Sequence, residues 1–308
     1  MSGLPHDRGN LLWTAEDGAS RRLLVSFDRW GEALLADDGI DMPISEGGGY
    51  IEARIISRGN GVICGAAMID HLLQIWGPSI SISWHAGDGR SVGDGDEIAS
   101  ISGPSEDILK IERSILNILG RLSGIATESK KWAQVAPASV ACTRKTVWGI
   151  LDKWAVHLGG CLTHRLNRDD AVMIKENDLA SFESSHDDHG VKLQEFLEGV
   201  NVEEIQSFLE VEVQNEKEAI SAAATWLSKE VEEPLVIMLD NFGVEKSKAI
   251  ATELQDMGLR EHVLLEGSGG IEFKDLENWR ESGLDVISTS RINRGTVPLD
   301  MSMLIVAN

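Results

Sequence analysis

The chain has 308 residues, of which 42% are hydrophobic and 25% charged, and this composition excludes general disorder. Fifty acidic residues against 28 basic ones give a formal net charge of −22. That balance excludes nucleic acid or an anionic membrane surface as partner, since either requires a broad basic face. The length exceeds the usual size of a single core and predicts one large α/β domain with a smaller companion. Cys64, Cys142 and Cys161 are an odd set without a CxxC pair, so a reducing cytoplasm is expected rather than a disulfide scaffold. The start, MSGLPHDRGN, lacks an apolar signal core, and Asp70 and His71 interrupt the longest apolar stretch, 62–76. No membrane span is expected.

Residues 1–50 hold little beyond a turn at Gly47-Gly48-Gly49. The alternation in IEARII (51–56) predicts a strand, GNG a tight turn, and 62–76 a helix. Short strands divided by GDGR and GDGD follow over 79–101, completing a small α/β unit in which His71 and His85 lack the spacing of metal ligands. Pro104 opens a long helix. Ile108, Ile111, Ile115, Ile118 and Leu122 form its buried stripe, Arg113 lies off that stripe, and the SGI at 123–125 is expected to loosen it.

From Ser139 onward strands alternate with helices. Strands are predicted at 139–143, 171–175, 208–213, 235–240, 262–266 and 285–289, with helices near 149–158, 191–206, 216–230, 244–257 and 272–282. Repeated βα units of this kind close into a barrel or open into a doubly wound sheet. Arg144 and Lys145, Lys175, Glu212, Asp240, and Ser268-Gly269-Gly270 all fall at or just past the C-terminal end of a predicted strand. Barrel enzymes place their chemistry at that rim. Two glycines before a helix let backbone N–H groups approach an anion such as a phosphate. Acidic strand ends on neighbouring units suit Mg2+ bound through one or two carboxylates plus substrate phosphate. The cations Arg144, Lys145, His164, Arg165 and Lys175 cluster within a strongly acidic chain and call for an acidic ligand, which the arginines can hold bidentately.

These residues resemble nicotinate-nucleotide pyrophosphorylase (carboxylating), the quinolinate phosphoribosyltransferase family. The motifs are ERSILNILGRLSGIAT (112–127), TRKT (143–146), KWAVHLGG (153–160), HR (164–165), IKEN (174–177), EVEV (210–213), IMLDN (237–241), LEGSGGI (265–271) and LD (299–300). The resemblance implies an N-terminal α/β sandwich (1–112), an open, roughly seven-stranded α/β barrel (113–292) and a C-terminal segment (293–308) that packs back on the first domain. It implies transfer of phosphoribose from phosphoribosyl pyrophosphate to quinolinate with Mg2+, giving nicotinate mononucleotide, pyrophosphate and CO2. Arg144, Lys145, His164, Arg165 and Lys175 would serve the quinolinate carboxylates and the adjoining pyrophosphate region, and Thr143 would also bind substrate. Glu212 and Asp240 would serve the ribose hydroxyls and metal, directly or indirectly, and Ser268, Gly269, Gly270, Thr289, Ser290 and Arg291 the 5′-phosphate. Lys145, Lys175, Glu212 and Asp240 would be the catalytic set, and Arg113 would reach a neighbour's site in a dimer or dimer-based assembly.

This chain also departs from the family pattern. VWGILD (147–152) replaces a longer proline-glycine turn, so that Trp148 reshapes one wall of the site; Asp178 stands where histidine is usual, Glu176 where aspartate is, and Ser290 where glycine is common. The shortened loop keeps open a transferase on nicotinate or a related ring acid without decarboxylation; a non-catalytic nucleotide-binding relative is a further alternative, against which the full set of charged positions speaks. SHDDH (185–189) is expected to be a solvated loop, and Cys142 and Cys161 buried structural thiols.

Overall fold

Alternating patterns in the chain resolve into two units in the computed structural model, which describes residues 3–136, 139–184 and 186–306. One unit comprises Arg8–Gln134, Lys145–Thr163 and Ser290–Asn308, the other Met1–Asp7, Val135–Arg144 and His164–Thr289.

The first unit is built on a four-stranded antiparallel sheet in the order Met301–Ile305, Tyr50–Ser57, Glu97–Pro104, Ser81–Trp84. Its long helix, Ser105–Val135, buries Ile108, Ile111, Ile115, Ile118 and Leu122, the stripe that the 3,4,3,4 spacing predicts. It runs unbroken through Ser123-Gly124-Ile125, where loosening was expected. A Cβ on Gly124 would stand 2.3 Å from the Val297 carbonyl oxygen, so the glycine serves close approach of two backbones rather than a bend. Ser123 Oγ accepts the Cys64 N–H at 2.9 Å, which satisfies that buried amide. Gly124→Ala is therefore expected to cost roughly 1–3 kcal/mol or more by overpacking. A urea titration reads this directly, and a wild-type midpoint would contradict it.

A second helix of this unit, Arg21–Asp37, is absent from the sequence reading. Ser20 caps it by accepting the Leu23 N–H, and its buried face is only Leu23, Phe27, Gly31 and Leu35. Gly31 belongs there because a Cβ would lie 2.2 Å from Leu72 Cδ2. The glycine turn at 47–49 is anchored by Asp107, whose Oδ1 accepts the Glu46 and Gly47 N–H groups at 2.8 Å each. His71 and His85 make surface contacts, with Asp28 at 2.6 Å and Ser100 at 2.8 Å. None of the three cysteines forms a disulfide, and all are buried.

The other unit carries a parallel sheet of six strands, against the roughly seven that the resemblance implies. They are β1 (Val140–Cys142), β2 (Val172–Ile174), β3 (Leu209–Val213), β4 (Leu235–Asp240), β5 (Val263–Ser268) and β6 (Val286–Thr289). The order is β1-β6-β5-β4-β3-β2. The edge strands β1 and β2 are therefore consecutive in sequence, as in a barrel opened between its first and second strands. Alternate residues take opposite faces. Leu209, Val211, Val213, Leu235, Ile237, Leu239, Val263 and Leu265 turn towards the helices His189–Gly199, Glu216–Leu227 and Gly243–Asp256 and form the main core. The other parity holds Glu210, Glu212, Val236, Met238, Asp240, Leu264, Glu266 and Ser268 on the inner face. Among them Val236 and Leu264 pack with Ala171 and Phe208 in a separate apolar cluster.

His186, Asp187 and Asp188 of SHDDH are exposed loop residues, as expected, and the helix begins at His189. Asp188 caps the helix His189–Gly199 by accepting the Val191 N–H, and His189 lies 3.1 Å from Glu218; Ser185 falls outside the described residues. Among the described residues no helix is long and apolar enough to cross a membrane.

Candidate active site

In β3, β4 and β5 one parity of apolar residues faces the helices, while the other parity, which carries the charged residues, lines the inner face. At the C-terminal end of β3 this exposes Glu212, and at that of β4 Asp240. Lys175 follows β2 and forms an ion pair with Glu212, with side chains 43% and 21% exposed. A pair this exposed contributes at most about 1 kcal/mol, so an arriving anion or metal can compete for either partner.

Asn241, next to Asp240, has φ +62, a left-handed conformation unusual outside glycine. That backbone lets its N–H donate to Ser268 O at 2.8 Å while Nδ2 donates to Asp240 Oδ2 at 2.7 Å. Gly269 (φ +100) and Gly270 (φ +64) follow β5, and a Cβ on Gly269 would stand 2.3 Å from Asn241 Oδ1. The glycine pair is thus required by conformation and by its neighbour. Thr289, buried at the end of β6, donates through Oγ1 to Ile271 O at 3.3 Å.

The cations gather at His164–Lys175. Arg165 is 7% exposed, its NH1 donates to Ala171 O at 3.1 Å, and its NH2 reaches Met173 Sδ at 3.4 Å. Burial pushes its pKa down, and the charges of Arg144 and Arg168 push in the same direction. Like charges crowded this way favour an anion among them. Arg144 itself is exposed just past β1, beside half-buried Thr143. The departure at Asp178 has a local reason: Oδ2 accepts the Lys175 N–H at 3.1 Å at the start of a short helix, and Oδ1 lies 3.0 Å from Arg168.

The resemblance sets His164 at the quinolinate carboxylates, but its ring is buried. His164 is 3% exposed, and Nε2 lies 3.1 Å from Glu266 Oε2 and 3.3 Å from Glu210 Oε2. His6 Nε2 lies 3.0 Å from the same Glu266 oxygen. His6, Glu210 and Glu266 are fully buried and went unnoticed in the sequence. The alternation of LEVEV contains the signal for Glu210, which must share a face with Glu212, and Glu266 likewise shares one with Ser268. His6 offers no such signal. Burial and the charge of Glu266 raise the Glu210 pKa.

Lys145, Ser290, Arg291 and Arg113 belong to the other unit. There Lys145 O accepts from Asn293 Nδ2 at 3.1 Å, and Ser290 precedes the single turn Arg291–Arg294. Arg113 is exposed on the long helix. Trp148 lies against Trp30, ring centroids 6.0 Å apart, and beneath Arg121. Its short loop is held by Asp152, which accepts the Val147 and Trp148 N–H groups and pairs with Arg121 at 3.0 Å.

Known proteins share this architecture. Residues 125–304 match the model for the C-terminal domain of quinolinate phosphoribosyl transferase, and residues 44–123 that for its N-terminal domain. A probable nicotinate-nucleotide pyrophosphorylase (carboxylating) of Methanothermobacter thermautotrophicus is 33% identical over 286 residues, covering 88% of this chain and 96% of the relative. The chloroplastic nicotinate-nucleotide pyrophosphorylase (carboxylating) of Arabidopsis thaliana is 31% identical over 264 residues, covering 83% of this chain and 74% of the relative. The structure of the nicotinate-nucleotide pyrophosphorylase from Francisella tularensis superposes with a TM-score of 0.76 at 26% identity, covering 92% of this chain and 97% of that one. The chain belongs to the quinolinate phosphoribosyltransferase family.

Proposed function

We infer that the chain transfers phosphoribose from phosphoribosyl pyrophosphate to quinolinate with decarboxylation, yielding nicotinate mononucleotide, pyrophosphate and CO2 for NAD synthesis. The observation that carries this reading is the grouping of buried Arg165 with Arg144 and Arg168, in a family member whose Lys175, Glu212, Asp240 and Ser268-Gly269-Gly270 follow successive parallel strands.

Quinolinate is a dianion whose ring nitrogen is a poor nucleophile, so catalysis is chiefly orientation and electrostatics. Arg144 and Arg165 hold the ring carboxylates. Asp240 and Glu212 face the ribose hydroxyls, and the N–H groups at Ser268–Gly270 take the 5′-phosphate. As the bond from the anomeric carbon to pyrophosphate breaks, the ring nitrogen bonds to that carbon and becomes a pyridinium. The pyridinium accepts the electron pair left when the adjacent carboxylate departs as CO2, and a proton then replaces it on the ring. Lys175, released from Glu212, supplies positive charge beside the reacting groups.

Glu212 and Asp240 present hard carboxylate oxygens at partly exposed inner-face positions, a donor set suited to Mg2+ shared with substrate phosphates. When bound, the metal offsets charge gathering on the departing pyrophosphate. Arg113, exposed and off the buried stripe, is the residue we assign to a neighbouring subunit's site in a dimer or dimer-based assembly.

Purified protein with phosphoribosyl pyrophosphate and Mg2+ is expected to consume quinolinate, release CO2 and give product of the mass of nicotinate mononucleotide, while nicotinate stays unchanged. Product from nicotinate without CO2 would support the non-decarboxylating alternative. Omitting Mg2+ should remove turnover, and adding it back should restore it. Gly269→Ala should raise KM for phosphoribosyl pyrophosphate about tenfold, because its Cβ would strike Asn241 in a backbone conformation alanine resists. An unchanged KM would remove this loop from the phosphate site.

A further inference from the structure

We propose that His6 and Glu266 are positioning residues that act through His164 to fix Arg165, the quinolinate arm. This rests on the assignment of Arg165 in the proposed function. The residues form one line of contact: His6 Nε2 lies 3.0 Å from Glu266 Oε2, which lies 3.1 Å from His164 Nε2, and His164 Nδ1 accepts the Arg165 N–H at 2.7 Å.

The line ends at a strained link. His164 has φ +53, a conformation that costs a non-glycine residue roughly 1–3 kcal/mol and persists only where surroundings impose it. Two constraints impose it here. The Arg165 N–H ties one ring nitrogen to the following peptide, and the carboxylates receive the other. Because Nδ1 accepts a hydrogen bond, a ring proton lies on Nε2, on the side of Glu266 and Glu210. The carboxylates and rings meet as close charge pairs: His164 Nε2 stands 3.1 Å from Glu266 Oε2 and 3.3 Å from Glu210 Oε2.

His6 closes the far side. Its ring lies 5.0 Å from that of His164 at an interplanar angle of 88° and 4.9 Å from Phe208, and it is completely buried. Removing it leaves a cavity beside Glu266 and frees that carboxylate to swing from His164. The left-handed turn then loses one of its constraints, and Arg165 loses its fixed origin. A binding group whose origin is no longer fixed holds its ligand less tightly, a loss read in KM for quinolinate. His6, His164 and Glu266 present ligand atoms within 4.8 Å of one another. A metal there would have to take the Nε2 position while Nδ1 already accepts from the Arg165 N–H, leaving the ring no proton, so the metal-free charge-paired arrangement is the one inferred.

The test compares full-length wild type, His6→Ala, His6→Gln, Glu266→Gln and Arg165→Ala by steady-state kinetics well below their melting temperatures, with active sites counted by phosphoribosyl pyrophosphate binding. His6→Ala and Glu266→Gln are expected to raise KM for quinolinate about tenfold, with kcat and KM for phosphoribosyl pyrophosphate near wild type, and His6→Gln to recover part of the loss. A merely structural role would lower the count of active sites and leave KM unchanged, and that result would overturn the proposal. So would stoichiometric metal in wild type that His6→Ala lacks. If His6→Ala does not fold, Glu266→Gln, which keeps the side-chain shape, decides the question. An unaltered quinolinate KM in Arg165→Ala would instead defeat the assignment of Arg165 itself.

Discussion

Arg165→Ala is expected to lower kcat/KM for quinolinate about 100- to 1,000-fold, equivalent to roughly 3–4 kcal/mol, the range for deleting one partner of a desolvated charge pair. Arg165 suits that role because the fold meets its burial only in part: NH1 donates to Ala171 O, Nε has no hydrogen bond among the described residues, and the charges of Arg144 and Arg168 oppose its own. A bound carboxylate relieves that opposition, whereas solvent at a residue 7% exposed relieves it poorly. Alanine also loses the bond to Ala171, a structural cost of about 1–2 kcal/mol, so a modest fall in melting temperature is expected alongside the kinetic loss. Binding of phosphoribosyl pyrophosphate should be preserved. Calorimetric titration with quinolinate gives the answer; wild-type affinity in the folded variant would mean that the cation cluster serves another ligand.

How much of this arrangement was legible depended on whether a residue's neighbours in sequence are its neighbours in space. The six parallel strands stand where the short apolar runs predict them, because packing against helices requires those runs and little else does. Lys175, Glu212, Asp240 and the Ser268–Gly270 loop were visible because a polar residue ending an apolar strand has few structural reasons to be there. Glu210 and Glu266 were passed over because an isolated acid within a strand reads as solvated, although period-2 counting places both inside the sheet. His6 was beyond reach: its partners lie more than 150 residues away, and nothing local distinguishes it from a surface histidine. The helix Arg21–Asp37 was lost because its buried face relies on Gly31, which contributes no hydrophobic signal and fits only because Leu72 fills its place. Asp178 and Gly124 show the converse. An unusual residue and an apparent helix breaker were both read as perturbations, and each turns out to meet a backbone need, one at Lys175 N–H and the other at Val297 O.

Asp240→Asn is expected to reduce turnover about 100-fold or more while leaving quinolinate affinity within twofold, because it removes charge and keeps shape. Asparagine can turn its carbonyl oxygen towards Asn241 Nδ2, so the 2.7 Å bond that holds the end of β4 survives, as does the Asn241 N–H to Ser268 O. What disappears is the carboxylate proposed for the ribose and Mg2+. The apparent Mg2+ requirement should therefore rise along with the fall in kcat. Glu212→Gln makes the informative comparison. Glu212 already spends its charge on Lys175, in a pair exposed enough to contribute at most about 1 kcal/mol. Removing that charge frees the lysine as well as weakening any metal site, so the two effects oppose each other and the net loss should be smaller than at Asp240. If Mg2+ titrations show the reverse order, with Glu212→Gln the more damaged enzyme, the metal and ribose assignment belongs to β3 rather than β4, and Asp240 serves chiefly to hold the left-handed turn at Asn241.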